Sequence, residues 1–487
     1  MRISATPFSD PSQLDAIERT IEAAPDDIGL RFGRACCLED LGRIDDALMA
    51  YVDVLDRDAT HFGGLTNLGS MLFERGRIAD ARPYIEAAAT LYPVDPVALV
   101  NHAHLLAETG DDDGAIFAYG AALTAQPDFF HAYIGLAAVW TRRGEPDLAQ
   151  EYLDRAFAEP KAWTVPYRGG GAPLNVLLLV SAFGGDMVTN LFFDDRVVQK
   201  AVLVADSVRG PLDIPPYHVL FNAIGDADRC APSLERARAI ADASPAAIVN
   251  HPARVLRTGR VEIMQRLHGI AGIRVPRTER IARDELTAET LLARGFTFPL
   301  LLRSPGHHQG DHFALVPAAA AVADVAAELP GRDLFAIEYL DARAADGDVR
   351  TYRVVSVDGK LFPVHAATAP QWNVHDFTGD MVDRPGHRAE EERFLADVAS
   401  VVGEQGLLSL TAICAMMDLD YCGVDFGIAP NGELLIFEAN ATMAVYPPEA
   451  GGIAEYRRIA ADRIIAAVRA MVLARATAAG YTAAVVS

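Results

Sequence analysis

The sequence is short of the features that staple or anchor a chain. Its five cysteines (Cys36, Cys37, Cys230, Cys414 and Cys422) show no C-x-x-C or other paired spacing, which argues against a disulfide framework or structural zinc and for a reducing compartment. No apolar run reaches the ~20 residues that span a bilayer. The opening stretch Met-Arg-Ile-Ser-Ala-Thr-Pro-Phe-Ser-Asp has no apolar signal core, so a cytoplasmic protein is expected. Basic residues are in deficit, 43 Lys and Arg against 66 Asp and Glu, for a formal charge of −23. Nucleic acid and anionic lipid both reward a basic footprint, so neither a nucleic acid nor a membrane is expected as partner. No serine elbow or cysteine–histidine pair stands out, and nothing requires a covalent enzyme intermediate.

What is present begins with a period. Gly42, Gly76, Gly110 and Gly144 recur every 34 residues, as do Ala47, Ala81, Ala115 and Ala149, and also Ala35, Gly69, Ala103 and Ala137. A helix-turn-helix unit of that length, with small residues where helices cross, resembles the tetratricopeptide repeat. Full repeats are expected to begin near Ile28, Phe62, Pro96 and Phe130, after a capping helix around Gln13 to Ala24. By that resemblance the concave groove is lined by the thirteenth position of each repeat, here Asp40, Glu74, Glu108 and Arg142, with Asn67 and Asn101 at the sixth position of the middle repeats. A mostly acidic row favours a basic or neutral peptide or protein partner. Self-association into a homodimer is the alternative use of the array.

Past residue 160 the pattern changes. The Gly- and Pro-rich stretch 161–173 reads as a linker. Apolar strands at Val176 to Ser181, Lys200 to Val204 and Tyr217 to Phe221, with helices expected between them, predict a small parallel α/β unit over 174–255. The Gly-Gly in Ser181-Ala-Phe-Gly-Gly-Asp186 is weak evidence for phosphate binding.

The most informative stretch lies near the C-terminal end. Asn431-Gly432 between apolar runs predicts a two-residue type I′ hairpin, so paired residues sum to 863, with Asp425 opposite Glu438 and Phe426 opposite Phe437. Side-chain alternation then puts Asp425, Glu438 and Asn440 on one face and the Phe pair on the other. Opposed carboxylates repel unless a hard cation such as Mg²⁺ lies between them. Upstream, the strand Phe298 to Arg303 runs into a loop with Gly306 and Gly310, Leu334 to Asp341 is a strand closing on acids, and Asp348-Val-Arg350 opens a hairpin turning at Asp358-Gly359.

In order, these pieces resemble the ATP-grasp superfamily over roughly residues 173 to 475, through a strand-end cation with a glycine loop, a hinge acid, Asp-x-Arg and a metal set Asp…Glu-x-Asn. The fold expected is multidomain: an N-terminal all-α tetratricopeptide solenoid (1–160), an α/β pre-ATP-grasp unit (174–255), an α+β ATP-grasp fold (256–475) and a tail (476–487). The resemblance implies ATP and a pair of Mg²⁺ ions as cofactors, the metals on Asp425, Glu438 and Asn440. It places Arg260, Arg303, Gly306 and Gly310 at the phosphates, Glu338, Tyr339 and Leu340 at the adenine and Asp348 at the ribose. Arg350, His365, Asn373 and His375 are the catalytic candidates, and Arg353 reads either as a phosphate ligand or as a partner for Asp348. Arginines stand where the family usually has lysines, and the lid carries His307, His308 and His312; without cysteine these are expected at phosphate or lid rather than at zinc.

The activity implied is a carboxylate–amine ligase forming an amide through an acyl phosphate. A small amine or amino acid would be one substrate, and a peptide or protein recruited by the repeats the other. A phosphotransferase of the same superfold, and a repeat scaffold with a nucleotide-sensing domain, are the alternatives.

Overall fold

The computed structural model describes residues 11–41, 43–75, 77–157, 162–210, 214–306, 312–374, 384–448 and 454–481. The chain divides after Ala158 into two compact units.

The first unit is helical throughout its described residues. Helix α1 (Pro11–Ala23) precedes four pairs: α2 (Ile28–Asp40) with α3 (Ile44–Arg57), α4 (Phe62–Glu74) with α5 (Ile78–Leu91), α6 (Pro96–Glu108) with α7 (Asp112–Ala125), and α8 (Phe130–Arg142) with α9 (Pro146–Ala156). The first helix of each pair starts where the 34-residue period places it. Caps fix several starts: Asp27 accepts from the Leu30 N–H, and Asp95 from Val97 and Ala98 with Pro96 at the first turn. Gly110 and Gly144 (φ 86° and 72°) take the left-handed conformation just past the helix ends, which glycine does without strain. The small residues are contact positions: Ala35, Ala103 and Ala137 are fully buried, and a Cβ on Gly69 would lie 2.8 Å from Ile85 Cγ1.

The asparagines expected in the groove are not groove residues. Asn67 is buried and donates to Tyr51 Oη at 3.0 Å, and buried Asn101 donates to Ser70 Oγ at 3.1 Å. A buried amide needs partners, and neighbouring helices supply them. Asp40 and Glu74 are exposed and Glu108 half-buried, while Arg142 is exposed and ion-paired with Asp112.

The second unit contains three sheets. The first has β1 (Ala162–Thr164), β2 (Leu174–Val180), β3 (Val198–Val204), β4 (Val219–Asn222) and β5 (Ala247–Val249) in the order β1-β3-β2-β4-β5, parallel except for β1. Residues 162–164, expected as linker, are instead an edge strand, because β3 offers an open ladder on that side. The expected helical alternation occurs once among the described residues, as α10 (Ala227–Asp242) between β4 and β5. After α11 (Pro252–Val255), α12 (Arg260–Leu267) and β6 (Ile273–Arg274) comes an antiparallel sheet, β7-β10-β8-β9. It is built from β7 (Thr278–Ala282), β8 (Leu300–Arg303), β9 (Phe313–Val316) and β10 (Asp333–Glu338), with α13 (Ala288–Ala293) and α14 (Val322–Glu328).

The third sheet runs β12-β11-β13-β14-β6, from β11 (Val349–Val357), β12 (Lys360–Ala369), β13 (Tyr421–Ile428) and β14 (Leu434–Asn440), with α15 (Pro385–Ala396), α16 (Ala399–Met417) and α17 (Arg458–Ala478). One continuous core joins the first sheet (Leu177, Leu203, Leu220) to the third (Val354, Val424, Phe426), while the second sheet packs its own core under α13 and α14. Helix α16 is long and apolar enough to meet the length and composition of a membrane span, at 19 residues. Its Leu410, Ile413 and Met417 are fully buried in that first core, and Gly403 (φ 70°) interrupts its helical backbone.

Candidate functional site

Strand register assembles the site. His365 on β12 pairs with Arg353 on β11, Arg353 with Asp425 on β13, and Asp425 with Glu438 on β14, a row of one imidazole, one guanidinium and two carboxylates across the third sheet. All four line one open-mouthed cleft of about 1040 Å³, open solvent included. Arg353 holds Asp425 with two parallel bonds of 2.6 Å, and Arg260, at the start of α12, donates to Glu438 at 2.5 Å. Each of the opposed carboxylates is thus held by a guanidinium group, Asp425 in the two-bond fork and Glu438 through one bond.

The expected register holds for Asp425 but not for Phe426. Pro430 sits second in a turn closed by the Gly432 N–H on the Ala429 carbonyl, so the loop spans three residues and Phe426 faces Ile436. A bulge at Phe437 restores Asp425 to Glu438 and turns Phe437 toward the cleft instead of the opposite face.

The far wall comes from the second sheet and the loop after β12. Leu301, Phe313, Ile337, Tyr339, Leu340 and Trp372 make one end of the cleft apolar and aromatic. Trp372 meets Phe313 edge-on at 5.3 Å and Tyr339 at 6.5 Å between ring centroids, and burial raises the Tyr339 hydroxyl pKa. Glu338 lines the cleft too, with its carboxylate accepting from Arg274 and the Arg277 backbone N–H. Asn373 lines the same wall.

Arg303, at the end of β8, is 7 % exposed and lies over the Phe313 ring. Burial first, then the neighbouring Arg260, lowers its pKa to about 10, against the pull of Glu438, Asp226 and Asp228, so it stays charged at neutral pH.

Arg260, Arg303 and Glu438 also line a second, smaller pocket with Asp226, Asp228, Gly306 and Asn440. It lies at the carboxyl end of β4. β3 and β4 flank β2 on opposite sides, so the chain reverses its strand order there, and the Gly225 and Asp226 N–H groups bond to the Gly185 carbonyl at that point. Open parallel sheets bind ligands in such crevices. Asn440 pairs with Gly423 and its Oδ1 accepts from the Thr442 backbone and hydroxyl, so it shapes the turn after β14 beside Glu438.

Other expectations are corrected. Arg350 and Asp348 do not line the cleft, to which β11 contributes Val349, Thr351, Tyr352 and Arg353. Arg350 is bound by Asp346, which does most to raise its pKa, and by Glu390, while Asp348 pairs with Arg384 and His387. Arg353 partners Asp425 rather than Asp348. His312 has φ 48° and its carbonyl accepts from the Ser304 N–H. His307, His308, Gly310 and His375 lie outside the described residues. Trp372, Asp226 and Asp228 received no functional role from the sequence; Trp372 carried a signal as a lone indole in a polar loop.

The tetratricopeptide repeat pattern matches residues 32–96. No curated protein matches the chain significantly. Among solved structures, MamA from Desulfovibrio magneticus RS-1 is 19 % identical, with 29 % of this chain covering 81 % of it at TM-score 0.28. A thermophilic tetratricopeptide protein of Thermus thermophilus is 21 % identical over 29 % of this chain and 79 % of its own, at TM-score 0.26. By the matched repeat pattern and its helix pairs, the chain carries an N-terminal array of tetratricopeptide repeats, a type of array suited to protein–protein interaction, followed by an α/β region of three sheets.

Proposed function

We propose that the second unit is an ATP-dependent carboxylate–amine ligase of the ATP-grasp type, acting on a peptide or protein substrate that the repeat array recruits. The observation that carries this reading is the polarity of the cleft: an aromatic end suited to a planar base, and an end with Arg260, Arg303 and Arg353 suited to a polyphosphate. Asp425 and Glu438 offer hard oxygen donors of the kind Mg²⁺ takes and would hold it at the phosphate end, whereas the Asn440 Oδ1, expected as a third donor, is engaged by Thr442. When bound, the metal neutralises charge on the phosphoryl group in transfer.

The chain's own residues position and screen. Arg303 supplies a fixed buried cation beside the phosphates, Trp372 and Tyr339 exclude water from the base, and His365 stands beside Arg353 in the cross-strand row. The second pocket shares Arg260, Arg303 and Glu438 with the cleft, which suits a substrate group meeting the terminal phosphate there.

The test is calorimetric titration of the full-length protein with AMP-PNP in Mg²⁺, followed by ADP release with candidate peptides and amines. Trapping an acyl phosphate as a hydroxamate supports the ligase. A stable phosphorylated product points instead to phosphotransfer, and no AMP-PNP binding at millimolar concentration overturns the nucleotide reading.

A further inference from the structure

The two guanidinium groups on the opposed carboxylates point to a coupling between ligands. Arg353 engages both oxygens of Asp425, with the side chains 26 % and 19 % exposed, and Arg260 engages Glu438, at 11 % and 21 %. Partial burial limits screening by salt, so each pair is a real obstacle to a second cation. A divalent ion arriving alone must share or displace a guanidinium at each carboxylate. One arriving with a polyphosphate meets guanidinium groups that have another anion to move to. Arg303 differs, being buried at the end of a strand with its guanidinium over the Phe313 ring, and serves as the stationary cation.

We propose that Arg353 and Arg260 are exchangeable counter-ions that occupy Asp425 and Glu438 until a polyphosphate draws them off, so that the site takes up a divalent cation and a polyphosphate together and either one poorly alone. This rests on the nucleotide reading above. By linkage the coupling is reciprocal: whatever the polyphosphate adds to metal affinity, the metal adds to polyphosphate affinity. A ligase so built does not load its metal ahead of its nucleotide.

The full-length protein tests this with two probes used separately: Mn²⁺ alone, followed by the loss of its free-ion EPR signal, and AMP-PNP in EDTA, followed by calorimetry. Arg353→Gln should tighten Mn²⁺ alone by about five- to tenfold and weaken AMP-PNP by a similar factor, within the usual range of coupling between sites. Arg260→Gln should give the same opposite signs and serves if the first variant unfolds. A purely structural role weakens both probes. If AMP-PNP binds the wild type with Mg²⁺ but neither variant tightens Mn²⁺, the exchange is wrong and the nucleotide site stands. If AMP-PNP does not bind the wild type at all, both fall.

Discussion

Arg303 is the most direct residue-scale probe of the cleft. Its replacement by Ala removes a charge-assisted contact of about 2–3 kcal/mol, so AMP-PNP affinity should fall tens-fold or more, with Arg303→Lys keeping part of it as a point charge. An unchanged dissociation constant for the Ala variant would place the phosphates elsewhere. Asp425→Asn and Glu438→Gln should each abolish Mg²⁺-dependent ADP release. Each also leaves an arginine facing a neutral amide, so stability should drop by about 1–3 kcal/mol. Wild-type turnover in both would remove the metal assignment. A different carboxylate contributes to the pH dependence of stability. Burial pushes Asp186 up to about 7, against the pull of the Ser181 N–H. Its folded pKa lies above the unfolded value near 4, so its stabilising contribution is complete below about pH 4 and is lost as pH rises through 7. Asp186→Asn should flatten the decline in melting temperature over that window; an identical decline in the variant assigns it to other groups.

Among the elements, prolines decided where sequence reasoning about register held. At Asp358-Gly359 both residues have positive φ and Val357 faces Lys360, as an Asp-Gly type I′ turn requires. Just after Pro363, whose nitrogen cannot donate to the ladder, the count slips by one at Val364, and His365 rather than Val364 comes opposite Arg353. At Asn431-Gly432 the preceding Pro430 favours a three-residue loop, and only the compensating bulge brings Asp425 back to Glu438. The helical period was fully legible because each repeat packs only on its neighbours. The cleft-facing side of β11 was not, since Asp-x-Arg says nothing of which side lines a cleft, and Arg350 took the side it shares with Tyr352, where Glu390 of α15 binds it. One connection between elements was invisible in sequence. Asn250, past β5 with φ 54°, exchanges side-chain hydrogen bonds with both backbone groups of Tyr421 at the head of β13. Asn250→Ala should cost about 2–4 kcal/mol in urea unfolding, through lost buried bonds and a strained φ. A loss below about half a kcal/mol, the low end for a single hydrogen bond, would mean the two sheets are registered by their apolar core alone.

For the whole molecule, the proposed function gives the repeat array and the three-sheet unit separable tasks. Reversing Asp40, Glu74 and Glu108 to Lys should weaken binding of a basic polypeptide partner, most at low salt, and leave AMP-PNP affinity unchanged. A variant that binds its partner normally and loses only self-association identifies the array as an assembly surface. Lysine occurs at only three positions in the chain, 161, 200 and 360, so nearly all positive charge is guanidinium. The tryptophans are as sparse. Trp140 lies on α8, Trp163 on the edge strand β1, and Trp372 in the wall of the cleft. With Trp140 and Trp163 changed to Phe, the remaining indole becomes a native optical reporter of cleft filling. Its emission in a stopped-flow instrument would time the arrival and departure of each ligand without any label attached to the protein.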